Sequence, residues 1–220
     1  RDDGSTTVAR DVRRCRVKLR DYQSDAEACV LRELKAKQST LLVLATGLGK
    51  TVVFASVTGR CVARGKRVLV LAHREELVRQ AAEKIHAVTG HRADIEMGDL
   101  RSEETLHGKA MVVCATVQTM VSGRGDHRRA HRFDADEFGL VIVDEAHHST
   151  ADSYSTVLAS FPGCKVLGVT ATPDRSDEEA LGQVYDSVAY EYGIVDGLRN
   201  GWLVDIEQQF VRIKGLDYSA

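Results

Sequence analysis

Proline is almost missing from this chain: Pro162 and Pro173 are the two examples in 220 residues, which excludes a proline-rich linker. Aromatic residues make up only 5% of the composition, and no internal repeat or low-complexity tract is visible. No apolar run approaches the roughly 20 residues of a membrane helix, so no membrane partner is expected. Charge of one sign is lacking too. The formal net charge of −2 excludes a uniformly basic nucleic-acid coat, and any phosphate contact has to come from a local patch. The five cysteines (Cys15, Cys29, Cys61, Cys114, Cys164) are odd in number and show no CxxC spacing. That pattern argues against a disulfide framework or a zinc site and fits a reducing, cytoplasmic setting. The first residues have no apolar signal-peptide centre; residues 1–16 read as a charged leader, with an ordinary frayed terminus as the alternative.

What is present is the composition of a globular domain, with 43% apolar and 28% charged residues. Five short segments, LLVLA (41–45), RVLVLA (67–72), AMVVCA (110–115), LVIVDE (140–145) and KVLGVTA (165–171), are continuously apolar rather than alternating. Strands covered on both faces of a parallel sheet read this way. Helical patterns lie between them. One places Tyr22, Ala26, Val30 and Leu34 on one stripe, and another does so with Leu77, Ala81, Ile85 and Val88. Alternation of strand and helix predicts crossover units and a doubly wound α/β layer. From about residue 176 the alternation fades. The division expected is a domain over 17–205 and a segment over 206–220 leading away from it.

LLVLATGLGKT (41–51) runs from a strand into a glycine-rich turn and a helix start. Backbone N–H groups and the helix dipole converge at such a point, favouring a polyphosphate. Thr46, Gly47, Leu48 and Gly49 form the turn, Lys50 is placed to reach the β- and γ-phosphates, and the Thr51 hydroxyl suits Mg²⁺. Leu44 stands where the strict GxxxxGK[ST] pattern has glycine. The alternative is a buried strand and turn with a coincidental lysine. A second stretch, LVIVDEAHH, decides between them. Two adjacent acids at the C-terminal end of a buried strand are costly unless a cation or a reaction uses them. Asp144 suits Mg²⁺, and Glu145 suits the role of general base toward water.

With ATGLGKT, DEAHH and TATP in this order and spacing, the chain resembles the first RecA-like ATPase domain of superfamily 2 DEAD/DEAH-box helicases. The similarity is to the branch holding type I and III restriction-enzyme motor subunits and DNA-repair helicases. It implies a RecA-like P-loop NTPase fold, a three-layer sandwich around a mainly parallel sheet, with ATP and Mg²⁺ as cofactors. It further implies that Gln23 in LRDYQ meets the adenine edge, with Arg20 or Tyr22 beside it. His73 and Arg74 in AHREEL, and Thr116 and Gln118 in ATVQTM, would touch a nucleic-acid backbone. Thr170 and Thr172 in TATP, with His147, would couple hydrolysis to strand movement. Plain helix capping is the alternative for the nucleic-acid set. The expected partners are nucleic acid, DNA ahead of RNA, and a second RecA-like domain outside these residues. Without that domain's arginine fingers, worth about 10³ to 10⁵ in rate, this domain is expected to be monomeric, to bind nucleotide and to hydrolyse it poorly.

Two weaker signals and two rival functions stay open. GRGDHRRAHR (123–132) is a basic run read as a flexible, solvated connection, with phosphate contact as the lesser option. His147 and His148 lack further ligands at zinc spacing. Besides a helicase motor, the motifs allow a double-strand DNA translocase of a restriction or remodelling complex. They also allow a nucleotide-gated binding module without useful turnover. Phosphoryl transfer to a small molecule is disfavoured by the lack of an evident acceptor pocket.

Overall fold

The computed structural model describes residues 17–103, 108–149, 152–171 and 181–204. Seven strands form one parallel sheet: β1 (Ser39–Leu44), β2 (Val68–Ala72), β3 (Ala93–Glu96), β4 (Val112–Thr116), β5 (Leu140–Asp144), β6 (Lys165–Thr170) and β7 (Val188–Tyr192). Their spatial order is β3-β4-β2-β5-β6-β1-β7, so β6 lies between β1 and β5 and pairs with both. The helices are α1 (Asp21–Ala36), α2 (Lys50–Val62), α3 (Glu75–Thr89), α4 (Val117–Val121), α5 (Asp152–Ala159) and α6 (Ile194–Arg199).

The continuous apolar strands are explained by two cores, one on each face of the sheet. Successive side chains of a strand point to opposite faces. Leu42, Leu44, Val70 and Ile142 meet Val30 of α1, Phe54 of α2 and Ile85 of α3 on one face. Leu41, Val43, Leu71 and Val143 meet Met120 of α4 and Tyr154 and Val157 of α5 on the other. Each central strand therefore favours apolar residues at successive positions, not at every second one. In α1 the expected stripe of Tyr22, Ala26, Val30 and Leu34 is buried. In α3 the stripe is Val78, Ala81, Ile85 and Val88, and Leu77 is only partly covered. Glu75 and Glu76 occupy the first turn of α3, and Gly90 ends it in the left-handed conformation.

The structure departs from the sequence reading in several places. The third apolar segment, expected over 110–115, forms its strand over 112–116. Strand β3 was not anticipated because ADIE is a short, mostly half-buried edge strand. The alternation does not stop near 176: β7 pairs with β1 on the other edge, and α6 follows it. VAYEY is half exposed and carries polar groups, as sheet edges do. The expected leader over 1–16, the segment 206–220 and Thr172 lie outside the described residues.

The basic run at 123–132 is largely exposed, as a solvated connection would be, but it is more ordered than its sequence implied. It folds into two short helical turns, Gly125–His127 and Arg129–Arg132. Glu96, at the end of β3, is fully buried, and Arg129 and Arg132 both pair with its Oε1. The Arg129 guanidinium also donates to the carbonyls of Gly98 and Leu100, and the Ser102 amide donates to Glu96 Oε2 at 2.7 Å. Two arginines of the run are thus anchors that tie the turn at 97–102 to the edge of the sheet.

Candidate nucleotide site and its flanking loops

The loop after β1 owes its path to its glycines. Gly47 and Gly49 have φ of +88° and +77°, in the left-handed region that side chains rarely enter. A Cβ on Gly49 would also lie 2.7 Å from Gln23 Nε2, so the Gln23 amide would have to move from the Leu48 carbonyl it holds. We expect Gly49→Ala to lower stability by about 1–3 kcal/mol and to loosen the turn. Chemical denaturation would register this, and an unchanged midpoint would contradict the strain argument. Leu44, at the position where glycine was expected, is the fully buried last residue of β1 and has an ordinary backbone conformation. The core fills that position, so glycine is not needed there.

Helix α2 starts at Lys50 with no side-chain cap and no acidic residue in its first turn. Its leading N–H groups therefore face the loop without an internal anion to satisfy them. Thr46 is exposed, and Thr51 is half-buried in the first turn of α2. Behind the loop, the Leu48 carbonyl accepts hydrogen bonds from Tyr22 Oη at 2.8 Å and Gln23 Nε2 at 3.0 Å. The Gln23 Oε1 accepts from the Arg20 amide at 3.0 Å. In this structure, then, one end of the Gln23 amide ties α1 to the loop after β1 and the other caps the start of α1 itself.

Lys50 Nζ donates to Glu145 Oε1, an ion pair whose side chains are 18% and 21% exposed. Two residues 95 positions apart in sequence are joined from the tips of β1 and β5, across β6. Glu145 has φ 54° and ψ 58° and is the one non-glycine residue at positive φ among the described residues. Such a conformation costs about 1–3 kcal/mol and persists only where surroundings impose it; it occurs here at the candidate base. Asp144 is 5% exposed. Burial, and next the Glu145 charge, push its carboxyl up to about 6, while the Lys50 charge opposes them. Burial and the same two acids push the Tyr154 hydroxyl up to about 12.

His147 Nδ1 lies 3.5 Å from Glu145 Oε2 and 3.4 Å from the hydroxyl of Thr170, which is fully buried at the tip of β6. The remaining predicted residues sit on the loops after β2 and β4. Arg74 is exposed and precedes α3, and His73 is half-buried beside it. Burial, followed by the neighbouring His148 and Arg74, lowers the His73 pKa. Thr116 is 4% exposed and caps α4: its hydroxyl donates to Thr119 Oγ1 at 2.7 Å and accepts from the Thr119 amide at 3.3 Å. Gln118, two residues on, is exposed. The structure thus gathers Lys50, Asp144, Glu145, His147 and Thr170 at adjoining strand tips, whereas Thr116 has the capping geometry.

Sequence reasoning missed the residues that wall the loop. Tyr192 stacks on Tyr22 with ring centroids 4.9 Å apart, and Trp202 packs on Tyr22 at 5.4 Å. The Arg20 guanidinium lies 5.0 Å from the Trp202 ring centre. A Cβ on Gly47 would meet Leu203 at 3.1 Å. The legible signal was local: a chain with 5% aromatics places Tyr190, Tyr192 and Trp202 close together after residue 185.

Comparison with known proteins bears on what this arrangement serves. The family described as type III restriction enzyme, res subunit, matches residues 16–175. A putative ATP-dependent helicase of Saccharomyces cerevisiae, IRC3, is 34% identical over 215 residues, covering 89% of this chain and 29% of its own length. The DNA 3'-5' translocase XPB2 of Sulfurisphaera tokodaii is 28% identical, over 74% of this chain and 32% of its own. This chain therefore spans about a third of the length of these curated relatives. Among solved structures, the Hef helicase domain of Pyrococcus furiosus is similar, with a TM-score of 0.59 and 28% identity over 74% of this chain and 34% of that one. The fold is that of RecA-like helicase domains.

Proposed function

The chain belongs to the family of the type III restriction enzyme res subunit, and from that premise we propose that it is the first motor domain of an ATP-driven machine that moves along DNA. The observation that carries this reading is the meeting of Lys50 with Glu145 across the tip of β6. A cation and a carboxylate from two separate strand tips are what a triphosphate and an attacking water need on either side of the γ-phosphorus. The uncapped start of α2 and the Lys50 ammonium hold the phosphates. Glu145 takes the proton of the water as its oxygen bonds to phosphorus and ADP departs. His147, between Glu145 and Thr170, links that event to β6.

The residues also suit Mg²⁺. Asp144 is a buried acid whose proton affinity is raised by burial and by the neighbouring Glu145 charge, an environment that a divalent cation would relieve, and the Thr51 hydroxyl is a second hard oxygen donor. These two residues would hold the ion, which would supply charge neutralisation for the phosphates. Arg20, Gln23, Thr46, Gly47, Leu48 and Gly49 form the rest of the nucleotide cradle in this reading. Arg74 and Gln118, both exposed on loops beside it, are the best placed to meet a nucleic-acid backbone, with His73 behind Arg74.

Relatives named for DNA and for RNA both match, and DNA is favoured because the family model is that of a restriction-enzyme subunit. ATP turnover by the full-length protein tests the proposal. A DNA duplex is expected to raise turnover about tenfold or more, and an RNA duplex to raise it less. Turnover indifferent to either nucleic acid would refute it. Strand-separation and triplex-displacement assays then divide unwinding from translocation alone.

A further inference from the structure

Three imidazole rings form a row between the loop after β2 and the loop after β5. His73 packs on His148 with ring centroids 4.4 Å apart, and His148 packs on His147 at 4.1 Å. The two loops are neighbours because β2 and β5 pair directly. His147 continues the row to Glu145 Oε2 at 3.5 Å, and Glu145 contacts Lys50. At the other end Arg74, exposed, directly follows His73.

The His73 Nδ1 is buried and has no hydrogen-bond partner in the structure. A buried ring nitrogen of this kind ordinarily finds one. The ring contact with His148 is then an interaction that orients His73, and a shift of the β2 loop is passed to His148 through it. His148 is itself exposed, so replacing it leaves the apolar core intact.

We propose that His148 is a positioning residue that carries contact with a DNA backbone at the β2 loop, through the stacked His73–His148–His147 rings, to the orientation of Glu145. The inference rests on the reading of the chain as a DNA-dependent ATPase and adds a residue and a route to it. Packed side chains with discrete arrangements can carry such coupling over short distances. DNA seated against Arg74 would fix the β2 loop, and the ring row would then hold Glu145 in its catalytic direction instead of on Lys50.

The test uses the full-length protein with His148→Ala and His148→Phe, measuring ATP turnover without DNA and at saturating DNA duplex. In His148→Ala the stimulation by DNA should fall by about three- to thirtyfold. His148→Phe, which keeps a ring to stack on, should restore most of it, and the thermal midpoints of both should match the parent. Full stimulation in His148→Ala would overturn the proposal. So would a loss that Phe does not rescue, or a loss that tracks a lowered thermal midpoint. Failure of DNA to stimulate the parent protein would instead refute the DNA-dependent ATPase reading itself.

Discussion

Replacing Glu145 by glutamine in the full-length protein is expected to reduce ATP turnover by about 10² to 10⁴, the range that a positioned general base contributes. Nucleotide binding should not fall with it. Glu145 is the internal partner of Lys50, so a nucleotide has to compete with that carboxylate for the ammonium. The glutamine variant releases Lys50, and affinity for ATP should rise by about fivefold, the worth of a modest ion pair of ~1 kcal/mol. Phosphate release measured beside a fluorescent-nucleotide titration separates the two effects. Turnover equal to the parent would remove Glu145 from the chemistry. Lost turnover with equally lost binding would mean that the residue shapes the site instead of acting in it.

The second large effect lies at the far edge of the sheet. Arg129→Ala is expected to lower stability by about 3–5 kcal/mol, because truncating one partner leaves a buried charge poorly compensated. Glu96 is fully buried, and after the substitution Arg132, itself partly exposed, would be its one remaining cation among the described residues. The carbonyls of Gly98 and Leu100 would also lose the Arg129 donor. Arg124→Ala, exposed in the same basic run, should shift stability by no more than about 0.5 kcal/mol. Denaturant midpoints for the pair decide the matter: equal midpoints would show that the basic run is as loosely held as its sequence implied.

These sites also mark how far the sequence could be read. The central strands were legible because burial on both faces forces an unbroken apolar run. The turn after β1 was legible because left-handed backbone demands glycine at Gly47 and Gly49. The edge strands β3 and β7 escaped because one flank of an edge strand has no strand beside it, which relaxes the demand for apolar residues. The arginines at 129 and 132 were misjudged for a different reason: their partner, Glu96, lies more than thirty positions away in sequence. Composition reports that a segment is basic, and only the fold reports what neutralises it. The same holds for Gln23, whose amide chemistry fits an adenine edge equally well as the Leu48 carbonyl it meets here.

The placement of β6 between β1 and β5 has a mechanical consequence. Both neighbours are hydrogen-bonded to it along their length, so their tips stand about 10 Å apart and cannot be drawn together without breaking the ladder. The sheet works as a gauge block. The Lys50 side chain is long enough to cross that distance to Glu145, but a bridging polyphosphate must arrive at the right length, and a chain one phosphate shorter would place no phosphorus beside Glu145.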